Sequence, residues 1–156
     1  MTTKAPTGEK LIASNKKAFH DYFILQKIEV GLALTGTEVK SLRDGKVNLK
    51  DSYILFKDDE AFLFGTHISP YTHGNIQNHD PERTRKLLLH RRELEKFRSA
   101  TVEKGLSVVP LRLYFKGSRV KAEIAVVRGK KQYDKRETER KREADRETAA
   151  AIKQAK

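Results

Sequence analysis

The sequence predicts a mainly β protein, a small antiparallel barrel with short helices and a basic C-terminal tail. Three observations predict this architecture: apolar residues alternate over residues 28–34, two hairpin patterns recur further along, and the composition changes abruptly at residue 130. With 156 residues, one domain with extensions is expected. We divide the chain into a flexible N-terminal arm over 1–18, a barrel over 19–129 and a tail over 130–156.

The first strand is predicted over 22–35, a stretch rich in aromatic and branched apolar residues. A short helix follows over 36–42, with Val39 and Leu42 facing inward, and Gly45 ends it. The two predicted hairpins are 53–64, turning at Asp58-Asp59, and 107–128, turning at Gly117-Ser118.

In the second hairpin, glycine at the first turn position favours a type II′ turn, which fixes the register. One face is then apolar, and the other is a basic surface with an aromatic residue at its centre. The predicted apolar pairs are Phe115 with Val120, Leu113 with Ala122 and Leu111 with Ile124; the outer pairs are Lys116 with Arg119, Tyr114 with Lys121 and Arg112 with Glu123.

A helical block is predicted between the hairpins. Asp80-Pro81-Glu82 resembles a helix start, and Gly105 ends the block. The apolar stripe of this helix consists of Leu87, Leu88, Leu94 and Phe97. Strands and short helices in this order favour a barrel plugged by helices, and the OB-like barrel is the member of that class typical of nucleic-acid binders.

The charge of the chain points to a polyanionic partner. The 33 Lys and Arg against 21 Asp and Glu give a net charge of +12, which favours nucleic acid or an anionic membrane surface over a charge that only aids solubility. The absence of cysteine excludes disulfides and thiolate chemistry. Since no stretch resembles a signal peptide or a membrane span, a soluble cytoplasmic protein is expected.

Candidate catalytic and metal sites are weak. His67, His73 and His79 recur at intervals of six without a tight ligand pair, and His20 beside Asp21 is a poor acid–base pair because adjacent residues rarely point at one substrate atom. Residues 31–36 imitate a phosphate loop but lack the Lys-Ser/Thr that follows one. We therefore expect no metal, no cofactor and no enzymatic activity.

Basic residues interleaved with aromatic ones carry the stronger signal. Cations bind phosphates, while tyrosine and exposed histidine stack on unpaired bases. The basic segments are Arg83-Thr84-Arg85-Lys86, His90-Arg91-Arg92, 128–131 and Lys135-Arg136; the tyrosines are Tyr22, Tyr53, Tyr114 and Tyr133.

The tail differs physically from the barrel. Of its 27 residues, 10 are Lys or Arg and 6 are Asp or Glu, too polar to bury a core. Asp134 and Glu137 have capping-box spacing, which favours a helix from about Lys135. The tail is thus predicted to be disordered when free and helical when bound; a solvated tail that aids solubility is the alternative.

Long motifs resemble the SmpB family over essentially the whole chain. They are residues 15–24 (NKKAFHDYFI), 31–43 (GLALTGTEVKSLR), Asp51-Ser52-Tyr53, Asp80-Pro81, 83–89 (RTRKLLL) and 129–136 (GKKQYDKR). The turn Gly117-Ser118 departs from the Asn-Gly that is common in the family.

The resemblance implies an OB-fold barrel that binds the tRNA-like domain of transfer-messenger RNA, and a tail that enters the empty messenger path of a stalled ribosome. It implies that the RNA-binding residues are Asn15, His20, Tyr22, Glu29, Tyr53, Leu88, His90, Lys121, Arg128 and Lys130. The implied decoding-centre residues of the tail are Lys131, Tyr133, Asp134, Lys135 and Arg136.

The implied partners are transfer-messenger RNA, the ribosome with its small-subunit RNA, and elongation factor Tu on the same RNA; a monomer without membrane association is expected. Three alternatives stay open: a ribosomal or assembly protein that binds ribosomal RNA, an RNA-processing enzyme that depends on His20 or another single acid–base residue, and a general single-strand binder.

Overall fold

The computed structural model describes residues 9–72, 77–131, 135–136, 139–144 and 146. Its elements are β1 (Glu9–Ser14), α1 (Lys16–Asp21), β2 (Tyr22–Leu32), α2 (Gly36–Arg43), β3 (Val47–Asn48), β4 (Tyr53–Lys57), β5 (Glu60–Phe64), β6 (His67–Ile68), β7 (Arg85–Leu88), α3 (Arg91–Lys104), β8 (Ser107–Lys116) and β9 (Arg119–Gly129). A seven-stranded antiparallel sheet has the order β1-β8-β9-β2-β7-β5-β4, and β3 pairs with β6. Because β4 also approaches β8, the sheet curls into a barrel.

The main core fills the barrel, with Leu42 from α2 and Leu94 and Phe97 from α3 packed among the strand side chains. The mainly β barrel with plugging helices is therefore confirmed. Among the described residues, no helix is long and apolar enough to cross a membrane.

Three bulges interrupt the alternation on neighbouring parts of the sheet. They lie between Leu11 and Ala13 in β1, between Ile24 and Gln26 in β2, and between Pro110 and Arg112 in β8. A bulge adds one residue to one strand and so exchanges the faces of the residues beyond it. The bulges in β2 and β8 contribute to a second apolar cluster on the outer side of the sheet under α1; its buried members are Ala18, Val109, Leu111, Ala125 and Val127.

Both predicted hairpins are present. The first has the predicted bounds, and Asp58 and Asp59 both adopt positive φ, as a type I′ turn requires. In the second, Gly117 has φ 61° and five of the six predicted pairs form. The pairing of Leu111 with Ile124 was wrong: the β8 bulge places Pro110 opposite Ile124 and turns Leu111 into the outer cluster.

The predicted basic surface around Tyr114 was also wrong in part, because that ring is buried. β1 pairs with β8 beside it, with Leu11 opposite Tyr114, and the Arg112 guanidinium lies 4.5 Å from the ring centroid. These neighbours cover the ring on the outer face.

The flexible arm predicted over 1–18 needs correction. Residues 9–14 form β1 on the edge of β8, and 16–18 belong to α1. Backbone pairing with β8 supplies hydrogen bonds that a free arm lacks, a gain that the local sequence does not reveal. Residues 1–8 lie outside the described part of the chain.

The predicted helix start at Asp80-Pro81-Glu82 was wrong as well. A turn forms there, closed by the Arg83 N–H donating to the Asp80 carbonyl, and β7 fills the gap between β2 and β5. Leu87 and Leu88 are therefore strand residues, buried and exposed in alternation. The helix begins at Arg91, buries Leu94 and Phe97 as predicted, and ends at Gly105 with φ 64°.

Candidate nucleic-acid interface

The outer face of β8, β9 and β2, the side turned away from the main core, brings predicted site residues together. Tyr22 and Glu29 are seven residues apart on β2 and would lie on opposite faces of a regular strand. The β2 bulge returns them to one face: Tyr22 packs against the outer cluster, and Glu29 pairs across the sheet with Glu123. A single strand thereby carries two candidate RNA contacts roughly 20 Å apart.

Asn15 positions α1 rather than facing solvent. Its Oδ1 accepts a hydrogen bond from the Ala18 N–H at 3.1 Å, which caps the helix, and its Nδ2 donates to the Pro110 carbonyl at 2.9 Å. The residue is 5% exposed. Asn15 therefore supports α1 with both polar ends of its side chain. Its predicted RNA contact stays a prediction.

A cleft of about 330 Å³ opens between α1 and the start of β4, and we call it the α1 cleft. Tyr22 and Tyr53 both line it, and Lys17 bridges to Asp51 at 2.6 Å across its rim. Tyr53 is 44% exposed, and its ring is stacked on Phe64 with ring centroids 5.7 Å apart. An aromatic ring fixed in this way offers a preformed face to an unpaired base.

A second opening of about 420 Å³, the Glu29 pocket, is lined by Glu29, Leu88, His90 and Lys121. Four of the residues implied by the family resemblance, drawn from three separate segments, thus meet in one place. Leu88 is 52% exposed, so it presents an apolar surface at the rim of this pocket.

Glu29 is ionised in this pocket. The Tyr114 hydroxyl and the Lys116 ammonium both donate to its carboxylate, and these hydrogen bonds lower the pKa of Glu29 although partial burial opposes ionisation. Burial and the same hydrogen bond raise the pKa of Tyr114, so its hydroxyl keeps its proton and acts as a donor. A carboxylate in this setting accepts hydrogen bonds and repels phosphate.

Arg128 and Lys130 flank one aromatic ring at the end of β9. The charged groups of both lie 5.2 Å from the centroid of Phe23, which is the cross-strand partner of Arg128. The Lys130 backbone N–H donates to the Asp21 carbonyl at 2.8 Å, which ties the chain beyond β9 to α1. Two cations are therefore held together where the barrel meets the tail.

His20 connects α1 with the tail. Its Nδ1 lies 2.7 Å from Asp21 Oδ1 and its Nε2 lies 2.6 Å from Glu139 Oε1, and Lys135 Nζ lies 3.7 Å from the same Asp21 oxygen. Hydrogen bonding to Asp21 and then to Glu139 raises the pKa of His20. These contacts dock the first helical turns of the tail on α1.

Within the tail, residues 135–136, 139–144 and 146 are helical, and Lys131 and Arg136 are exposed. Tyr133, Asp134 and Glu137 lie outside the described residues. Disorder of the free tail stays a prediction.

The predicted phosphate-binding role of the Arg83–Lys86 segment is wrong for Arg85, and the partly exposed Arg83 also pairs with a buried carboxylate. Arg85 is completely buried and donates to Glu38 Oε2 at 2.6 Å, and Arg83 donates to Glu38 Oε1 at 2.6 Å. Their guanidinium groups are used to pair a buried carboxylate, so they stabilise the barrel.

The histidines that suggested a metal make other contacts. His67 pairs with Glu82 at 2.6 Å, and His79 bonds the Thr37 hydroxyl and the Ile68 carbonyl. His73 lies outside the described residues. Sequence reasoning overlooked Phe23 and Glu139 and misplaced Tyr114; only their pairing with residues far away in the chain reveals their roles.

Comparisons with known proteins agree with this architecture. The model of the SmpB protein family matches residues 12–154. Curated proteins named SsrA-binding protein from Geobacter sulfurreducens and Pelobacter propionicus are 56% and 58% identical, each match covering 94% of this chain and 96% of the relative. The protein of that name from Geobacillus kaustophilus is 56% identical, covering 96% of this chain and 97% of the relative.

A solved structure is also similar. It is described as "tmRNA-SmpB: a journey to the center of the bacterial ribosome", and the similar chain is 46% identical with a TM-score of 0.66. The match covers 77% of this chain and 85% of that chain.

Proposed function

Because this chain belongs to the SmpB family, we propose that it binds the tRNA-like domain of transfer-messenger RNA and delivers that RNA to stalled ribosomes. The relatives' name, SsrA-binding protein, and the tmRNA-SmpB description of the similar structure support this choice of RNA. The observation that carries the proposal is that three features lie along β2 and its neighbours. They are the α1 cleft, the Glu29 pocket, and the cations Arg128 and Lys130 over the Phe23 ring.

Each of the three places offers a different kind of RNA contact. Tyr22 and Tyr53 in the α1 cleft stack on unpaired bases. Lys121, Arg128 and Lys130 neutralise phosphates and release counterions. The Glu29 pocket adds an acceptor that phosphates cannot use. A structured RNA with exposed loop bases matches this combination better than a uniform single strand, and the role is binding rather than catalysis.

The tail has the second part of the proposed role. It occupies the empty messenger channel and the decoding centre in place of a codon–anticodon pair, with Lys131, Lys135 and Arg136 against ribosomal RNA phosphates and Tyr133 stacked on a base. The basic composition of residues 130–156 and the helical residues among 135–146 support this use.

RNA preference tests the barrel. Titration at physiological salt compares transfer-messenger RNA, an ordinary tRNA and an unstructured RNA of matched length. We expect the first to bind most tightly, because only structured RNA presents loop bases at fixed spacing. Equal affinity for all three would contradict the proposal and favour a charge-driven general binder; preference for naked ribosomal RNA would favour an assembly protein.

Tail deletion tests whether RNA binding by the barrel and ribosome engagement by the tail are separate roles. Removing residues 130–156 should leave much of the RNA affinity, since most of the interface lies on the barrel, and should abolish peptide tagging on stalled ribosomes. A full-length chain with Lys135 and Arg136 replaced by alanine keeps the length of the tail and should also lose tagging, because it removes two of the proposed phosphate contacts. Normal tagging by the truncated chain would exclude the proposed role of the tail.

A further inference from the structure

A carboxylate stands in the middle of the cationic outer face. Glu29 repels RNA phosphates at the place where Lys116 and Lys121 attract them, so a contact with the RNA backbone does not explain its presence. Its geometry is nevertheless well defined. The Tyr114 hydroxyl donates to Oε2 at 2.5 Å, and Lys116 Nζ lies 3.2 Å from Oε1 and 3.5 Å from Oε2.

The donor that orients Glu29 is itself immobile. Tyr114 is 2% exposed, with the Arg112 guanidinium 4.5 Å from its ring centroid and Lys121 opposite it on β9. A buried ring held on both strands has one orientation, so its hydroxyl fixes the Glu29 carboxylate more closely than a mobile lysine does.

The carboxylate keeps unused acceptor capacity. An ionised carboxylate has about four lone-pair positions. Tyr114 takes one on Oε2 and Lys116 takes one on Oε1, while the second Lys116 contact, 3.5 Å from Oε2, is longer than an effective hydrogen bond. The Glu29 side chain is 35% exposed and lines the Glu29 pocket. Two neighbouring acceptor positions, one on each oxygen, are therefore open to a ligand.

Two neighbouring acceptors fit two neighbouring donors. Among the RNA bases, only guanine presents two hydrogen-bond donor groups, N1–H and N2–H, on its Watson–Crick edge. Adenine, cytosine and uracil each offer a single donor group on that edge. Exposed Leu88 supplies an apolar surface for the base, and Lys121 lies within reach of the adjoining phosphate.

We propose that Tyr114 is a positioning residue that orients Glu29 to accept hydrogen bonds from N1–H and N2–H of an unpaired guanine in the bound RNA. This inference rests on the proposed function and specifies the chemical group that the Glu29 pocket recognises. Glu29 provides selectivity at the cost of some phosphate repulsion, and Tyr114 confers that selectivity without touching the RNA.

Kethoxal footprinting tests the inference, because kethoxal reacts with N1 and N2 of unpaired guanine. Transfer-messenger RNA is probed with the full-length wild type, with Glu29→Gln and with Tyr114→Phe. Tyr71→Phe, which alters a ring beside Lys40, is the matched control. Wild type and Tyr71→Phe should protect at least one guanine that both other variants leave reactive, while dimethyl sulfate protections at adenine and cytosine stay unchanged.

Affinity supplies the second readout. Tyr114→Phe should weaken binding about 5- to 10-fold, less than the full effect of a hydrogen bond to a charged group because Lys116 still contacts the Glu29 carboxylate, without changing the salt dependence. Glu29→Gln should also weaken binding although it removes a repulsive charge. A cooperative unfolding transition well above the temperature of the binding assay establishes that each variant is folded.

The outcomes separate the two proposals. Guanine protection by Tyr114→Phe equal to that by wild type, or tighter binding by Glu29→Gln, overturns the inference and leaves the proposed function standing. A wild-type chain that fails to bind transfer-messenger RNA overturns the proposed function and the inference with it.

Discussion

Glu38 holds together the segments around β7 through buried hydrogen bonds. It is fully buried, and its two oxygens accept from Arg83, from Arg85 and from the Thr35 backbone N–H. Arg85 also donates to the Thr66 and Pro81 carbonyls, so one network fastens α2, β7 and the segment before β7. A buried ion pair of this kind is costly to break because the remaining partner stays charged and unpaired.

Substitution Glu38→Gln should lower the free energy of unfolding at pH 7 by about 3 to 5 kcal/mol. Burial opposes ionisation, but the hydrogen bonds from Arg83, Thr35 and Arg85 outweigh it and lower the pKa of Glu38 to about 2, from an ordinary 4.5. A depressed pKa stabilises the fold fully above pH 4.5, and this contribution is lost as the pH falls towards 2.

Urea unfolding of wild type and Glu38→Gln at several pH values measures this difference. The gap between the two should narrow as the pH falls from 5 towards about 2. Glu60→Gln, which breaks an exposed pair with Lys86, is the control and should change stability by less than about 0.5 kcal/mol. A gap that is independent of pH would show that Glu38 acts through shape alone.

Among the elements, α1 and the turns beside it shape the α1 cleft. Asn15 joins the start of α1 to the bulged part of β8, and Ala18 seals the outer apolar cluster. On the opposite wall, Gly65 has φ 75°, and a Cβ there would lie 2.9 Å from the Asp51 carbonyl oxygen. Only glycine permits this approach, which places Asp51 and Tyr53 at the rim.

Substitution Asn15→Ala should destabilise the fold by about 1 to 3 kcal/mol, because it removes a helix cap and leaves the buried Pro110 carbonyl without its side-chain donor. RNA affinity should fall in parallel, since α1 carries His20 and precedes Tyr22. Thermal unfolding and RNA titration measure both effects, with exposed Ser14→Ala as the control. Lost affinity at unchanged stability would instead indicate that Asn15 contacts RNA directly.

For the whole molecule, the net charge of +12 determines long-range attraction to RNA, while fixed aromatic and acceptor groups determine which RNA is selected. The tail adds cations at the end of β9, where Lys130 already lies over Phe23. Affinity and selectivity are therefore expected to respond differently to salt.

Binding should weaken steeply with salt, and Lys121→Ala and Arg128→Ala should each reduce the slope of log K against log salt concentration by about 0.9. Lys57→Ala, at the exposed end of β4, should leave the slope unchanged. Titrations at four or more salt concentrations measure these slopes. An equal reduction of the slope in all three variants would mean that RNA phosphates bind diffusely over the whole surface.

Sequence by itself determined the elements that rest on local chemistry. Alternation of apolar residues defined β2, turn residues defined both hairpins, and Gly105 defined the end of α3, because period and turn geometry act over a few neighbouring residues. Charge composition likewise indicated a polyanionic partner.

Only the tertiary structure decided which side chains meet. Tyr114 and Glu29 are 85 residues apart in the chain, and His20 and Glu139 are 119 apart. β1 and β7 are strands because the sheet offers them pairing partners, and Arg85 is buried because Glu38 compensates its charge. The bulges in β2 and β8 turn Tyr22, Leu111 and Glu29 to the same outer face. Such pairings depend on long-range hydrogen bonding and burial, which no local window of the sequence contains.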